Sequence, residues 1–500
     1  MVFWALVLGG VAVALAAYHY LVGVLKFFER RDVPHVEPRI LVGNMGPVVM
    51  RQRSIAEQVK RIYDSHPEAK YVGFHDFTIP TIMLRDPEVI KFVTVKNFDN
   101  FVNHTALVDD RLDPFFGKNL FGLRDDSWRS MRSILSPSFT SSKIKGMFHL
   151  VSECGAKFAN NLSSKSQEIE LKDNFTRYTM DVIATAAFGI TVDSIKNPTN
   201  EFYLMGRDAT TFDYLRTMKL FMFKISPWLS RLFQMRIIPL RVVDFFLHIV
   251  SSTVKTREAE GKSRNDMIQL MMEARNSGKA PNLTMEDMTA QAFIFFFGGF
   301  ETTSTAMSFA AHEVTVNPEV QDKLQAEIDD ALNENNGLLT WEAFQGMRYL
   351  EAVVNETLRK YPPAVATDRI CNKAIEIPAA VPGGKPFMAQ PGSVFWLPYY
   401  GLHHDPKYFK NPEVFDPERF IDPTTGKIVE PLGFLPFGSG PRFCIGQRFA
   451  LMEVKLAIFY LFSKNRLEPC SKTENPITLN RKNFTMTAEN DFWVKISPRH

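Results

Sequence analysis

This chain of 500 residues predicts a mainly α fold with a small peripheral β-sheet, preceded by a transmembrane helix at its N-terminus. Three observations lead there. Residues Met1 to Leu25 carry no charge, long apolar segments of helical period end at Asn317-Pro318 and Pro362-Pro363, and alternating apolar stretches are few and short. With 45% apolar and 23% charged residues the chain can bury a large core. Lysine and arginine number 58 against 55 acidic residues, and a net charge of +3 is too small to point to a nucleic-acid partner. Cys154, Cys371, Cys444 and Cys470 lie far apart, without the CxxC clusters of a structural zinc site or the density of a disulfide scaffold, which suits a reducing compartment.

As a helix, the uncharged N-terminal run would span roughly 37 Å, enough to cross a bilayer. Charge begins at Lys26 and continues with Arg30 and Arg31, whereas the leading end has no basic side chain, so the positive-inside rule places everything downstream in the cytosol. A cleaved signal peptide is the rival reading, because Ala14 to Ala17 could be cut, but its basic leading region is missing. Pro34, Pro38, Gly43, Gly46 and Pro47 then interrupt any helix. The expected organisation is a membrane anchor over residues 1–28, a Pro/Gly connector over 29–47 and a cytosolic body over 48–500.

Within the body, Thr284 to Val316 reads as one helix roughly 50 Å long, with Thr284 and Asp287 as cap partners and Asn317-Pro318 as its stop. Tyr349 to Lys360 reads as a second, burying Leu350, Val353, Val354, Thr357 and Leu358. Tyr71 to Phe74 and Thr81 to Leu84 alternate like strands of a small sheet. Between Leu220 and Val250, Phe221, Phe223, Trp228, Leu232 and Phe233 mingle with Lys219, Lys224, Arg231, Arg236 and Arg241. That pattern suits both a surface dipping into a membrane and an amphipathic helix pair packed on the core.

The run Phe437-Gly-Ser-Gly-Pro-Arg-Phe-Cys444-Ile-Gly446 places one thiol at the end of a glycine-rich loop that feeds into an apolar-periodic segment, Gln447 to Phe462. Cys444 should therefore sit at a helix N-terminus, where the dipole and free N–H groups lower a thiol pKa and favour metal ligation. A dinucleotide fingerprint would need glycine where Phe443 stands, and a preceding βαβ strand. The run resembles the cysteine-ligand signature of the cytochromes P-450, at Phe437, Gly438, Gly440, Arg442, Cys444 and Gly446. Three further matches keep the family's order and spacing.

Glu356-Thr-Leu-Arg359 puts a carboxylate and a guanidinium three apart on one helical face. By resemblance Arg419, in Pro417-Glu-Arg419-Phe420, joins them in a structural ion network that holds the cysteine loop. Trp128-Arg-Ser-Met-Arg132 is similar to the motif whose Trp and Arg reach a haem propionate, and Arg369 and Arg442 fall at two further propionate positions. Where the family commonly has arginine, this chain has His104, which puts a propionate role there in doubt. Gly298-Gly299-Phe300-Glu301-Thr302, midway along the long helix, resembles the oxygen-binding motif.

The resemblance implies the cytochrome P-450 fold over the body, haem b (iron protoporphyrin IX) with Cys444 as its metal ligand, and Phe437 packed beside the sulfur to tune its potential. It implies Glu301 and Thr302 as a catalytic acid and alcohol pair that relays protons to bound O2, and an NADPH- and O2-dependent monooxygenase. Substrate contacts are expected from His104 to Leu123, Phe293 to Phe297, Pro363 to Thr367 and Asn483 to Met486, all poor in charge and suited to lipophilic small molecules. No flavin or nicotinamide fingerprint appears, so electrons must come from outside. Microsomal members imply NADPH-cytochrome P-450 reductase, with cytochrome b5 as a second donor, an endoplasmic reticulum membrane location, and a docking patch at Arg129, Lys143, Lys145 and Arg448.

The stretch from Ala292 to Thr303 and Arg448-Phe-Ala-Leu-Met-Glu453 are most similar to insect enzymes of the family-nine type. That implies oxidation of xenobiotics such as plant toxins or insecticides. Biosynthetic hydroxylation of a hormone or fatty acid, and a haem protein that only sequesters apolar ligands, are the alternatives.

Overall fold

The computed structural model describes residues 22–106, 108, 110–163, 166–190, 192–211, 214–261, 264, 266–483 and 485–499, and of the first 21 only residues 3, 4, 9, 11 and 18. Most of the expected anchor therefore lies outside the described residues. Among the described residues, no helix is long and apolar enough to cross a membrane.

The chain divides into two units. The first comprises Met1–Thr105, Val365–Asp405 and Gly438–Phe443. Its sheet contains β1 (Tyr71–Asp76), β2 (Ile79–Leu84), β3 (Thr367–Ile370) and β4 (Val394–Leu397), in the order β1-β2-β4-β3. The β1–β2 hairpin is antiparallel with Tyr71 opposite Leu84, β2 runs parallel to β4, and β3 returns antiparallel with Arg369 opposite Phe395. The two strands expected from the sequence are there, but β1 is buried along its whole length rather than at alternate residues. Phe28, itself fully buried, packs against Gly73, and the helix Ile55–Asp64 packs on the same strand.

The second unit, Ala106–Ala364, Pro406–Phe437 and Cys444–His500, is mostly helical. The helices that matter here are α1 (Asp125–Leu135), α2 (Ser141–Leu162), α3 (Leu171–Ile183), α4 (Glu201–Thr210), α5 (Leu240–Glu260), α6 (Met285–Val316), α7 (Arg348–Lys360) and α8 (Gln447–Lys464). A small antiparallel sheet sets Trp493–Pro498 between Gln167–Glu170 and Asn465–Glu468.

Helix α6 is the axis of this unit. Thr284 and Asp287 form the expected capping box, with Asp287 N–H donating to Thr284 Oγ1 at 3.1 Å and Thr284 N–H to Asp287 Oδ2 at 3.0 Å. Asn317 ends the helix, and Pro318 opens the next one. Over 32 residues α6 packs on α3, α5, α7 and α8. An aromatic cluster joins it to α4 and α5: Phe296 lies 5.4 Å from Phe202 and 5.0 Å from Phe246, and Phe293 lies 5.5 Å from Phe246. Each such pair contributes about 0.5–1.5 kcal/mol beyond its area burial. Much of the phenylalanine-rich composition is thus core, and it fixes α6 in position. Residues 214–232 form two helices, Tyr214–Ile225 and Pro227–Leu232, that leave Leu215, Trp228, Leu232 and Phe233 exposed.

Candidate active site

In the second unit, Cys444 lies just ahead of α8, as its spacing predicts. Its N–H donates to Phe437 O at 2.8 Å, closing the ends of the loop on each other. The six residues between group with the first unit. There Gly438 and Gly440 take φ of 81° and 71°, the left-handed region that only glycine enters at little cost, and a Cβ on Gly440 would overlap the carbonyl of Thr94. The expected lowering of the thiol pKa is not what the surroundings produce. Burial pushes the Cys444 thiol up, although the N–H groups of Gly446 and Gln447 and the charge of Arg132 oppose it. Cys444 nevertheless keeps accessible surface. The helix terminus moderates the cost of a thiolate here without by itself creating one.

One turn apart on α1, Trp128 is buried at 3% exposure and Arg132 is near enough to Cys444 that their charges interact. Burial lowers the Arg132 pKa, and the cysteine acts against that shift. Glu356, Arg359 and Arg419 meet in one ion network. Arg359 grips Glu356 through Nε at 2.7 Å and Nη2 at 2.8 Å, Arg419 Nε lies 3.1 Å from the same carboxylate, and Asp416 N–H donates to it at 2.9 Å. Glu356 and Arg359 are completely buried. Arg419 Nη1 also donates to Lys410 O at 3.0 Å, which ties the meander preceding the cysteine loop to α7.

In the first unit, β3 carries Asp368 and Arg369. His104 Nδ1 stands 3.0 Å from Asp368 Oδ1, and Thr105 N–H donates to Asp368 Oδ2 at 2.7 Å. Burial pushes the His104 pKa down, with Arg369 and Arg442 adding to the effect and Asp368 opposing it. His104 thus serves Asp368, in keeping with the doubt over a propionate role. Arg442 Nε donates to Val102 O at 2.8 Å. Arg369 is 1% exposed, and its Nε has no hydrogen-bond partner among the described residues.

On α6, Gly298 is exposed in an otherwise buried helix, with open space where a Cβ would project, whereas a Cβ on Gly299 would strike Ile183. The Thr302 hydroxyl donates to Gly298 O at 2.6 Å, and that of Thr303 to Gly299 O at 2.5 Å. Such back-bonding to the i−4 carbonyl loosens the helix ladder at the glycine pair. Glu301 meets Lys172 Nζ at 3.3 Å and the Thr485 hydroxyl at 3.5 Å, and Lys172 also donates to Ser304 Oγ at 2.7 Å and Thr305 Oγ1 at 2.8 Å. The acid and the alcohol are neighbours in the chain but bonded to different partners.

Sequence reasoning missed Lys172. It stands in the first turn of α3, where a cation opposes the helix dipole, and that misfit was the available signal. Asp113 was missed too. At 2% exposure, its Oδ2 accepts the N–H groups of Ile237 at 3.1 Å and Ile238 at 3.0 Å. It thereby ties the segment ahead of α5 to the stretch where Phe115 and Phe116 lie 5.1 and 6.1 Å from Phe293, and Phe116 lies 5.7 Å from Phe297.

Comparison with known proteins fits this geometry. The cytochrome P450 family profile matches residues 34–494. The chain is 44% identical to cytochrome P450 9e2 of Blattella germanica over 514 aligned positions, covering 96% of each. It is 38% identical to probable cytochrome P450 9f2 of Drosophila melanogaster, over 95% of each, and 33% identical to cytochrome P450 6j1 of Blattella germanica, over 97% of this chain and 96% of the relative. The chain belongs to the cytochrome P450 family. It is a haem-thiolate monooxygenase that uses O2 and an electron-donating redox partner.

The residues of this P450 suit its haem. A porphyrin with two propionates asks for buried cations with unmet donors, and the Nε of buried Arg369, without a partner among the described residues, is one. Its iron asks for a soft anionic ligand. Cys444 offers a thiol on an exposed residue beside a cation and two N–H groups, and coordination would supply the remaining drive to thiolate. A macrocycle needs a wall without side chains, and Gly298 offers open space of that kind.

Proposed function

We propose that this P450 oxidises lipophilic xenobiotics such as plant toxins or insecticides, at the endoplasmic reticulum membrane, with electrons from NADPH-cytochrome P450 reductase and cytochrome b5 as a second donor. The observation that carries the reading is the pair of half-buried rings Phe116 and Phe297, 5.7 Å apart and backed by the buried Phe115 and Phe293, an aromatic surface that suits apolar bulk rather than a pattern of hydrogen bonds. A site of this kind discriminates weakly between related apolar compounds, each methylene difference counting for about 1–3 kcal/mol. That breadth suits detoxification better than synthesis of one hormone.

Bound haem supplies the activation of dioxygen, which an anionic sulfur ligand favours. In this reading Cys444 is that ligand, Arg132, Trp128, Arg369 and Arg442 hold the propionates, and Phe437 shields the sulfur. Glu356, Arg359 and Arg419 keep the cysteine loop in place. With haem in place, Thr302, whose hydroxyl donates to Gly298 O, would hold a proton at Oγ1, and Glu301 would replenish it from the Lys172 and Thr485 side. Residues 1–28 anchor the protein, 29–47 connect, and 48–500 form the catalytic body, with the apolar surface at Trp228, Leu232 and Phe233 resting on lipid. Arg129, Lys143, Lys145 and Arg448 receive the reductase.

The test is reconstitution with reductase in vesicles, followed by a panel of plant metabolites, insecticides and fatty acids scored for spectral shift and substrate-dependent NADPH use. Turnover of several chemically unrelated xenobiotics supports the reading. Turnover confined to a single fatty acid or hormone-like compound contradicts it.

A further inference from the structure

Glu453 lies nine residues beyond Cys444 on α8, in the stretch Arg448-Phe-Ala-Leu-Met-Glu453, and has no part in the chemistry above. It is 0% exposed. Neither oxygen of its carboxyl has a hydrogen-bond partner at good geometry among the described residues, and the side-chain donor within its reach is the hydroxyl of Thr303 on α6. Among the described residues, Tyr178 on α3 and Cys154 on α2 feel its charge, and neither is a cation. Tyr178 spends its hydroxyl proton on the Glu453 backbone carbonyl at 3.4 Å.

A carboxylate buried without a cation would cost several kcal/mol, so such a group keeps its proton. Burial pushes the Glu453 pKa well above the usual carboxylate range. The carboxyl therefore has one O–H to donate. Thr303 already gives its own proton to Gly299 O at 2.5 Å, which leaves its oxygen free only to accept. A hydrogen bond from Glu453 to Thr303, with Thr303 donating to Gly299, would meet both requirements.

We propose that Glu453 is a positioning residue for the monooxygenase reaction: its carboxyl O–H, through Thr303, pins the Gly298–Thr302 turn of α6 to the helix that follows the cysteine ligand. The side of the site that handles oxygen and the side that supplies sulfur are thereby set by one hydrogen-bonded chain inside the second unit. The inference rests on the roles proposed above for Thr302 and Cys444, but its central claim concerns Glu453 alone.

The experiment uses the full-length holoprotein and two substitutions. Glu453→Gln keeps the shape and an N–H donor, whereas Glu453→Leu removes the donor. Infrared difference spectra of wild type minus Glu453→Gln should show the C=O stretch of a protonated carboxyl at neutral pH. Only carboxylate bands at Glu453 would overturn the proposal. With carbon monoxide as probe on the reduced protein, the C–O stretch should be the same in wild type and Glu453→Gln, and shifted or broadened in Glu453→Leu. Hydrogen peroxide released per NADPH, in reductase-supported turnover, should rise several-fold in Glu453→Leu and return to the wild-type level in Glu453→Gln. Equal C–O stretch and equal peroxide yield in wild type and Glu453→Leu would contradict it. If Glu453→Leu fails to fold, Thr303→Val takes its place, with the same shift expected and its absence counting against the proposal. The infrared carboxyl band does not involve Thr302, so failure of the proton-relay reading leaves this test intact.

Discussion

Two acid–base clusters on neighbouring helices of the second unit are built to opposite specifications. At Glu356 the carboxylate is completely buried, gripped at two points by Arg359 and met by Arg419 and the Asp416 N–H. At Glu301 the carboxylate is 18% exposed and shares one lysine, itself 19% exposed, with two hydroxyls. The first accepts four hydrogen bonds in a fully buried site and has no room to change state, as a structural brace requires. The second has two long contacts, Lys172 at 3.3 Å and the Thr485 hydroxyl at 3.5 Å, and neighbours able to exchange partners, as a group that passes protons requires. The difference follows from residue type as well as depth. Arginine presents a rigid fork that matches a carboxylate, whereas lysine is a point charge on a flexible stem.

The comparison can be broken at several points, and the largest effect should come from the brace. Arg359→Ala leaves Glu356 buried and short of its main partner, and should cost about 3–5 kcal/mol, read as loss of haem retention and a lower unfolding midpoint. Wild-type stability in that variant would mean the network holds nothing. Next comes Asp113, a buried carboxylate held mainly by backbone N–H groups, with the charge of Arg236 a lesser influence. Asp113→Ala strands those donors and should cost about 1–3 kcal/mol, while faster binding and release of an azole probe would show that the clasp also governs access. Unchanged stability and kinetics would reduce it to an ornament of the loop.

Smaller in stability but larger in chemistry is Thr302→Ala, which should leave the fold intact while NADPH use is diverted to peroxide. Coupling equal to wild type would remove Thr302 from the mechanism. Lys172→Met should slow turnover on the order of tenfold, with the carbon monoxide spectrum retained, because it disturbs a part-exposed pair rather than a buried one. Collapse of the fold instead would make the Glu301 cluster a second brace and erase the contrast. The least effect belongs to Lys145, an exposed cation 2.9 Å from Glu342. Lys145→Glu should change stability by less than about 1 kcal/mol and slow reductase association only at low salt.

Much of this architecture is visible in the sequence wherever the physics is local. The Thr284 and Asp287 box, the Asn317-Pro318 stop and the three-residue spacing of Glu356 and Arg359 each declare themselves within a turn or two of helix, and each lies where expected. The pairing of Arg419 with Glu356, 63 residues away, came from resemblance alone. Lys172 and Glu301 are 129 residues apart, and Asp113 and Ile237 are 124 apart. No periodic pattern connects such partners, because only tertiary packing brings them together. The thiol of Cys444 shows a different failure. Reasoning from the helix terminus gave a lowered pKa, but burial, which no local motif discloses, has the larger influence and raises it.

Everything rests on sulfur ligation by Cys444, and the direct test is the absorption spectrum of the reduced holoprotein under carbon monoxide. Wild type should give the long-wavelength Soret band of thiolate-ligated haem, and Cys444→His should move it to the shorter wavelength of imidazole ligation. A folded, haem-loaded Cys444→Ala protein that keeps the long-wavelength band would show that another group holds the iron, and would contradict the account.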